Sequence, residues 1–133
     1  MNLIEKLIRI DKEKYSERET KKIKSKRLSK ILGEDTEITI KAISGRKLNE
    51  IYGTIVGKDG KKDFAKVYDM NLMFCINGIV EPNLKDATLM EHFGAKTPKD
   101  LAAILFDAEV GEIADEISDL SGYTEDSEDE VKN

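Results

Sequence analysis

The chain has no tryptophan, one histidine, one cysteine and two prolines, and its aromatic share is 6%. Each scarcity excludes something. Cys75 alone cannot form an internal disulfide, and a single histidine beside it leaves out the usual zinc ligand sets. His92, the only histidine, has no second histidine to partner it. No apolar run approaches the roughly 18–20 residues of a membrane span. The first residues lack the apolar core and small-residue cleavage site of a signal peptide. Leu, Ile, Val and Met must therefore fill the interior. Cys75 lies on an apolar helix face, where a thiol reads as a small buried hydrophobe, consistent with a reducing cytoplasm.

Charge is what the chain has in quantity, at 37% of 133 residues, enough residues for one domain with a modest core. Residues 1–32 hold eleven Lys/Arg against five Asp/Glu, a surplus of six. Thr124 to Asn133 hold five acids and one lysine. The chain totals −5, so residues 33–123 carry −7. A basic start, an acidic body and an acidic tail can pair within one chain or head to tail between copies.

The most apolar stretch is Tyr68 to Val80. Tyr68, Leu72, Cys75, Ile76 and Ile79 share one helical face, and Met73, Phe74 and Val80 widen it until little of the circumference is polar. The spacing predicts a central buried helix, starting between Phe64 and Met70, ending near Val80 and stopped by Pro82.

Before it, residues 1–14 read as an amphipathic helix with Leu3, Ile4, Leu7, Ile8 and Ile10 on one stripe. That helix either docks on its own domain or is offered to a partner. Residues 21–32 also fit two readings, an exposed strand or a helix with Ile23, Leu28, Ile31 and Leu32 inward. Glu37-Ile-Thr-Ile-Lys-Ala-Ile43 alternates strictly and predicts a half-buried strand with Ile38 and Ile40 on one side. It needs a mate, which favours a two-stranded element with Arg27–Leu32 as a turn of helix between. Ser44 caps a helix to about Val56, with Leu48, Ile51, Tyr52 and Ile55 inward. Gly57 to Asp63 is a polar loop without the oxygen ladder or closing glutamate of a calcium site.

Asn83 or Asp86 opens a helix carrying Leu89, Met90 and Phe93, closed by Gly94. Thr97-Pro-Lys-Asp100 starts another, with Leu101, Ile104, Leu105 and Phe106 inward. Asp107 can cap the last, which carries Val110, Ile113, Ile117 and Leu120 to Gly122. Residues 124–133 are acidic and read as disordered. The fold class expected is mainly helical α+β. Residues 1–14 form an amphipathic helix, 20–123 the domain and 124–133 the tail.

No catalytic, cofactor-binding or metal-ligating set emerges, so no enzyme is expected. Leu3, Ile4, Leu7 and Ile8 are the candidate partner-binding residues. The basic segment Lys21–Lys30 is the one nucleic-acid candidate, but no aromatic is interleaved in it. A scaffold or adaptor is a third reading.

In order and spacing, the chain resembles the XkdN-like phage tail assembly chaperones. The resemblance spans most of residues 20–123. It rests on Lys26-Arg-Leu28, Ile38-Thr-Ile-Lys-Ala-Ile-Ser44, Gly78-Ile-Val-Glu-Pro-Asn-Leu84, Leu89, Phe93-Gly94, Gly111-Glu112 and Leu120-Ser-Gly122. Val110 stands where the family often has proline. The resemblance implies a non-enzymatic assembly factor of a tailed phage, prophage or tail-like particle. It would act without cofactors in the host bacterial cytoplasm and be absent from the mature virion. The implied partner is the tape measure protein, with the major tail protein and further copies of the chain as additional ones, and neither nucleic acid nor membrane. Such chaperones are often made in a second, longer form by a one-nucleotide slip of the reading frame. Val131-Lys132-Asn133 is encodable by the slippery codons GUA-AAA-AAC.

Overall fold

A computed structural model describes residues 1–122. The expected tail at 124–133 and the slippage site lie outside the described residues. Where spacing predicts one helix over 1–14, two short ones form, α1 (Leu3–Ile8) and α2 (Lys12–Ser16). Asp11 makes the break, because its carboxylate accepts the Glu13 amide hydrogen and begins a new helix.

Strands β1 (Thr20–Lys24) and β2 (Glu37–Lys41) pair antiparallel, Thr20 opposite Lys41 and Lys24 opposite Glu37. Helix α3 (Lys26–Leu32) connects them. The strand reading thus holds for 20–24 and the helical one for 26–32. Ser25 marks the change, its Oγ accepting the Leu28 amide hydrogen, and Gly33 ends α3 at φ 75. Ile31 and Leu32, inward in the all-helix reading, are exposed. Ile38 and Ile40 are 1% and 0% exposed, as the alternation predicts.

Ser44 caps α4 (Gly45–Gly53), which buries Ile51 and half-buries Leu48 and Tyr52. It ends short of Val56, although Ile55 is still buried. In the following loop Asp59 accepts the Lys61 amide hydrogen, and Asp63 caps a short 3-10 turn, Phe64–Lys66. Both acids are thereby used in local turns.

The central helix α5 (Val67–Gly78) ends two residues before Val80. Ile79 turns extended, and β3 (Ile79–Glu81) joins the sheet, Ile79 opposite Ile40 and Glu81 opposite Thr39 across an irregular register. The sheet therefore has three strands in the order β1-β2-β3, against the two expected. The physical reason is that β2 is buried, so its second edge would leave backbone groups unpaired beside the core. β-Branched Ile79 and Val80 suit a strand, and Pro82 disfavours helix at Glu81. The Glu81–Pro82 peptide is cis.

Asp86 caps α6 (Ala87–Phe93), closed by Gly94, and Thr97 caps α7 (Pro98–Phe106). A short 3-10 turn, Asp107–Glu109, leads into α8 (Val110–Leu120). The mainly helical α+β class is as expected. The core forms where α5 packs on α7 and α8, and α8 on β2, around Phe74, Cys75, Leu101, Phe106, Ile113 and Ile117. Tyr68 is exposed and Ile76 only half-buried, so the buried face of α5 is turned toward Phe74. Ile104, placed inward by spacing, is exposed as well.

At its end α5 almost touches α8. A Cβ built on Gly78 would lie 2.6 Å from Ile117 Cδ1, so only glycine admits this approach without movement. Nearby, Tyr52 packs edge-on against Phe74 at 5.2 Å and hydrogen-bonds Ser118 through its hydroxyl.

Candidate protein-interaction site

Residues 1–20 are all exposed. Helices α1 and α2 bury nothing, yet each is locally well started: Asn2 Oδ1 accepts the Glu5 amide hydrogen at 2.9 Å, as Asp11 does for Glu13. On α1, Leu3 is 68% exposed, Ile4 67%, Ile8 77% and Leu7 43%. The four predicted contact residues thus form a solvent-facing apolar stripe. The arm joins the body at Glu19, whose carbonyl accepts the Ala42 amide hydrogen at 2.8 Å.

Further apolar side chains are exposed on the body. Phe64 is 81% exposed, and Tyr68 and Ile104 are each 40% exposed. The Tyr68 hydroxyl donates to the Asp107 carbonyl at 3.2 Å, fixing that ring at the corner. Burial, with the Asp107 carboxylate behind it, raises the Tyr68 hydroxyl above its ordinary pKa. Sequence reasoning used Phe64 only as a bound for the start of the central helix and missed its exposure.

The basic segment is partly committed within the fold. Lys21 pairs with Glu116 at 3.0 Å, Lys24 with Asp35 at 3.0 Å, and Arg27 lies 3.9 Å from Asp107. Arg27 Nε also donates to the Leu105 carbonyl at 3.0 Å. Glu109 completes the attachment. Its carboxylate accepts from Ser25 Oγ at 2.6 Å and from the Lys26 and Arg27 amides at 2.7 and 3.2 Å. A carboxylate is thereby held over the N-terminus of α3, where the helix dipole and free amides favour negative charge. A groove of about 500 Å³ between β1 and α8 has Lys24 and Lys26 on one wall, with Glu112 and Glu116 on the other. Opposite charges facing one another there make it a seam of the fold.

Cys75 is 0% exposed and its Sγ lies 3.8 Å from the Val110 carbonyl. Burial first, then the charge of Glu109, pushes the thiol pKa up to about 12. His92 packs edge-on against Phe93 at 4.9 Å. Among the described residues no three His, Cys, Asp or Glu side chains gather as a metal site would need, and no helix is long and apolar enough to cross a membrane.

A helical body carrying an exposed amphipathic arm has the form of a small protein-interaction factor. The family model for phage XkdN-like tail assembly chaperone proteins matches residues 4–133, and the chain belongs to that family. Its role is therefore that of a phage tail assembly chaperone, as the resemblance carried by the β2 and Val80–Leu84 motifs implies. No curated protein matches the chain. The crystal structure of the protein yqbn is similar in fold, with a TM-score of 0.55 at 15% identity. The similarity covers 80% of this chain and 88% of that one.

Proposed function

We propose that the chain binds the tape measure protein in the host cytoplasm, supports assembly of the tail tube, and leaves before the virion is complete. The observation that supports this reading is the apolar stripe of Leu3, Ile4, Leu7 and Ile8 on an arm with no buried residue. An isolated helix this short is marginal in water. Its apolar face gains most when a partner covers it, and a long helical client with exposed apolar stripes offers the matching surface. Exposed Phe64, Tyr68 and Ile104 supply further apolar surface of suitable chemistry, for the major tail protein or a further copy.

The test is co-expression of the full chain with the tape measure protein and affinity capture of the pair. The double variant Ile4→Asp/Ile8→Asp is expected to lower the recovered client at least tenfold while circular dichroism stays unchanged. Undiminished capture by the folded variant would refute the arm as the client-binding element.

A further inference from the structure

Residues 56–66 hold four lysines and two aspartates, a surplus of two positive charges within a stretch, 33–123, that carries −7. Backbone bonds close them into a finger. Val56 bridges Lys62, Gly57 donates to the Lys61 carbonyl at 2.8 Å, and Gly60 turns the tip at φ 77. Asp63 ties the base, its amide donating to the carbonyl of buried Ile55 at 2.6 Å. Asp59 and Asp63 accept amide hydrogens within their own turns. None of Lys58, Lys61, Lys62 and Lys66 has an acidic partner among the described residues. Phe64 stands beside them at 81%, the highest exposure of any large hydrophobic side chain described. An aromatic anchor with cations on both sides has the chemistry of an interface, where the ring is buried and the charges orient it.

The groove between β1 and α8 has the opposite character. Ile23 and Ile113 give it an apolar lining, and four acids against two lysines leave an excess of two negative charges. Lys24 pairs with Asp35 and Glu116 with Lys21, whereas exposed Glu112 on α8 has no basic partner among the described residues. No residue of 56–66 lines this groove, so one chain does not join the two surfaces itself. A projection and a matching recess at different places on one molecule meet between copies. Such a contact is head to tail, and association does not end at a pair.

We infer that Phe64 of one copy seats in the β1–α8 groove of the next, with Lys61 and Lys62 against Glu112 and its neighbouring acids. This takes up the further copy named for Phe64 above and rests on that part of the reading, whereas client binding by the arm is independent of it. The ring brings about 150–250 Å² into contact. A finger of this size falls below the roughly 800 Å² per partner of a standard interface. The contact is therefore weak between free copies, and it strengthens when a long client holds several side by side.

The test is sedimentation equilibrium of the full chain from about 0.02 to 1 mM, the range in which so small a contact forms. The average mass is expected to climb past that of a pair, and to fall back at about 0.5 M salt, where exposed charges are screened. The variant Phe64→Ala/Lys61→Glu keeps its groove and loses its finger. Glu112→Arg keeps its finger and presents a filled groove of reversed charge. Each alone should stay monomeric. Mixed, they should associate and stop at a one-to-one pair, because one intact finger then meets one intact groove, and this recovery shows that both are folded. The variant Ile4→Asp/Ile8→Asp should associate as the unchanged chain does, so failure of client capture and failure of this contact are separate results. An unchanged chain that is monomeric at the highest concentration would overturn the proposal. So would self-association of either finger or groove variant, a mixture that stays monomeric, or loss of association in the arm variant.

Discussion

Helices α1 and α8 carry the same kind of pattern and meet opposite fates. Leu3, Ile4, Leu7 and Ile8 line one face of α1, as Val110, Ile113 and Ile117 line one face of α8. The stripe of α8 is buried and that of α1 is in solvent. Length is one difference, at eleven residues against six. The larger one is a prepared counter-surface: Gly78 opens a notch into which Ile117 fits, while no residue of α1 is buried. Periodicity tells which face of a helix is apolar. It does not tell what covers that face.

The largest effect that sharpens this contrast is expected at Ile117. Ile117→Ala deletes a side chain that is 0% exposed, and cavity formation of this kind costs about 2–5 kcal/mol. Urea denaturation measures it. A loss under about 1 kcal/mol would show that α5 and α8 repack freely, and that the notch does not distinguish them from α1.

Glu109→Ala is expected next, at about 1–3 kcal/mol, because Ser25 and the first amides of α3 lose their shared acceptor. Hydrogen exchange should accelerate in α3 before it does in α5. Uniform acceleration would mean that the contact is not a separate fastening.

Gly78→Ala ranks third. Overpacking against Ile117 costs about 1–3 kcal/mol, offset by roughly 1 kcal/mol of helix preference for alanine. Combining it with Ile117→Val should recover part of the loss. Simple additivity of the two would contradict their contact.

These variants also separate what the residues foretold from what packing decided. Ile38 and Ile40 were legible because strict alternation admits one geometry, and Ser44, Asp86 and Thr97 because caps are local chemistry. Strand β3 was not, since Ile79 continues the helical spacing of α5 and only the open edge of β2 makes it extended. Tyr68 was misplaced for a related reason. It shares a helical face with Leu72, but it lies at the α7–α8 corner, beyond the core. Of the candidate site, the identity of Leu3, Ile4, Leu7 and Ile8 was readable, while their exposure was not. Glu109 gave no sequence signal as a cap, because it acts on a helix more than eighty residues away.

A smaller effect concerns Cys75, in the middle of the buried region. Its thiol pKa is raised in the folded state from an ordinary value of 9.0 to about 12. Below about pH 9 both states keep the proton, so the contribution to stability is full. As pH rises from about 9 toward about 12, the unfolded thiol ionises first and that contribution is lost. Cys75→Ala should therefore flatten the alkaline limb of a stability–pH curve. The native thiol should resist alkylation at pH 8, and rapid labelling without unfolding would contradict its burial.

The smallest effect is expected in the arm, and it completes the contrast with α8. Ile8→Ala removes a side chain of the same type as Ile117→Ala, from a site 77% exposed where the other is 0%. No cavity forms and little transfer energy is lost, so the change should stay within about 0.5 kcal/mol. A thermal melt of the two variants side by side gives the comparison directly. Should Ile8→Ala lower the melting temperature as Ile117→Ala does, α1 is docked in solution, and its stripe is internal structure. With an unchanged melt, the arm contributes nothing to the fold that alanine cannot supply. Its isoleucines and leucines then call for another explanation, and contact with a client outside the chain provides one.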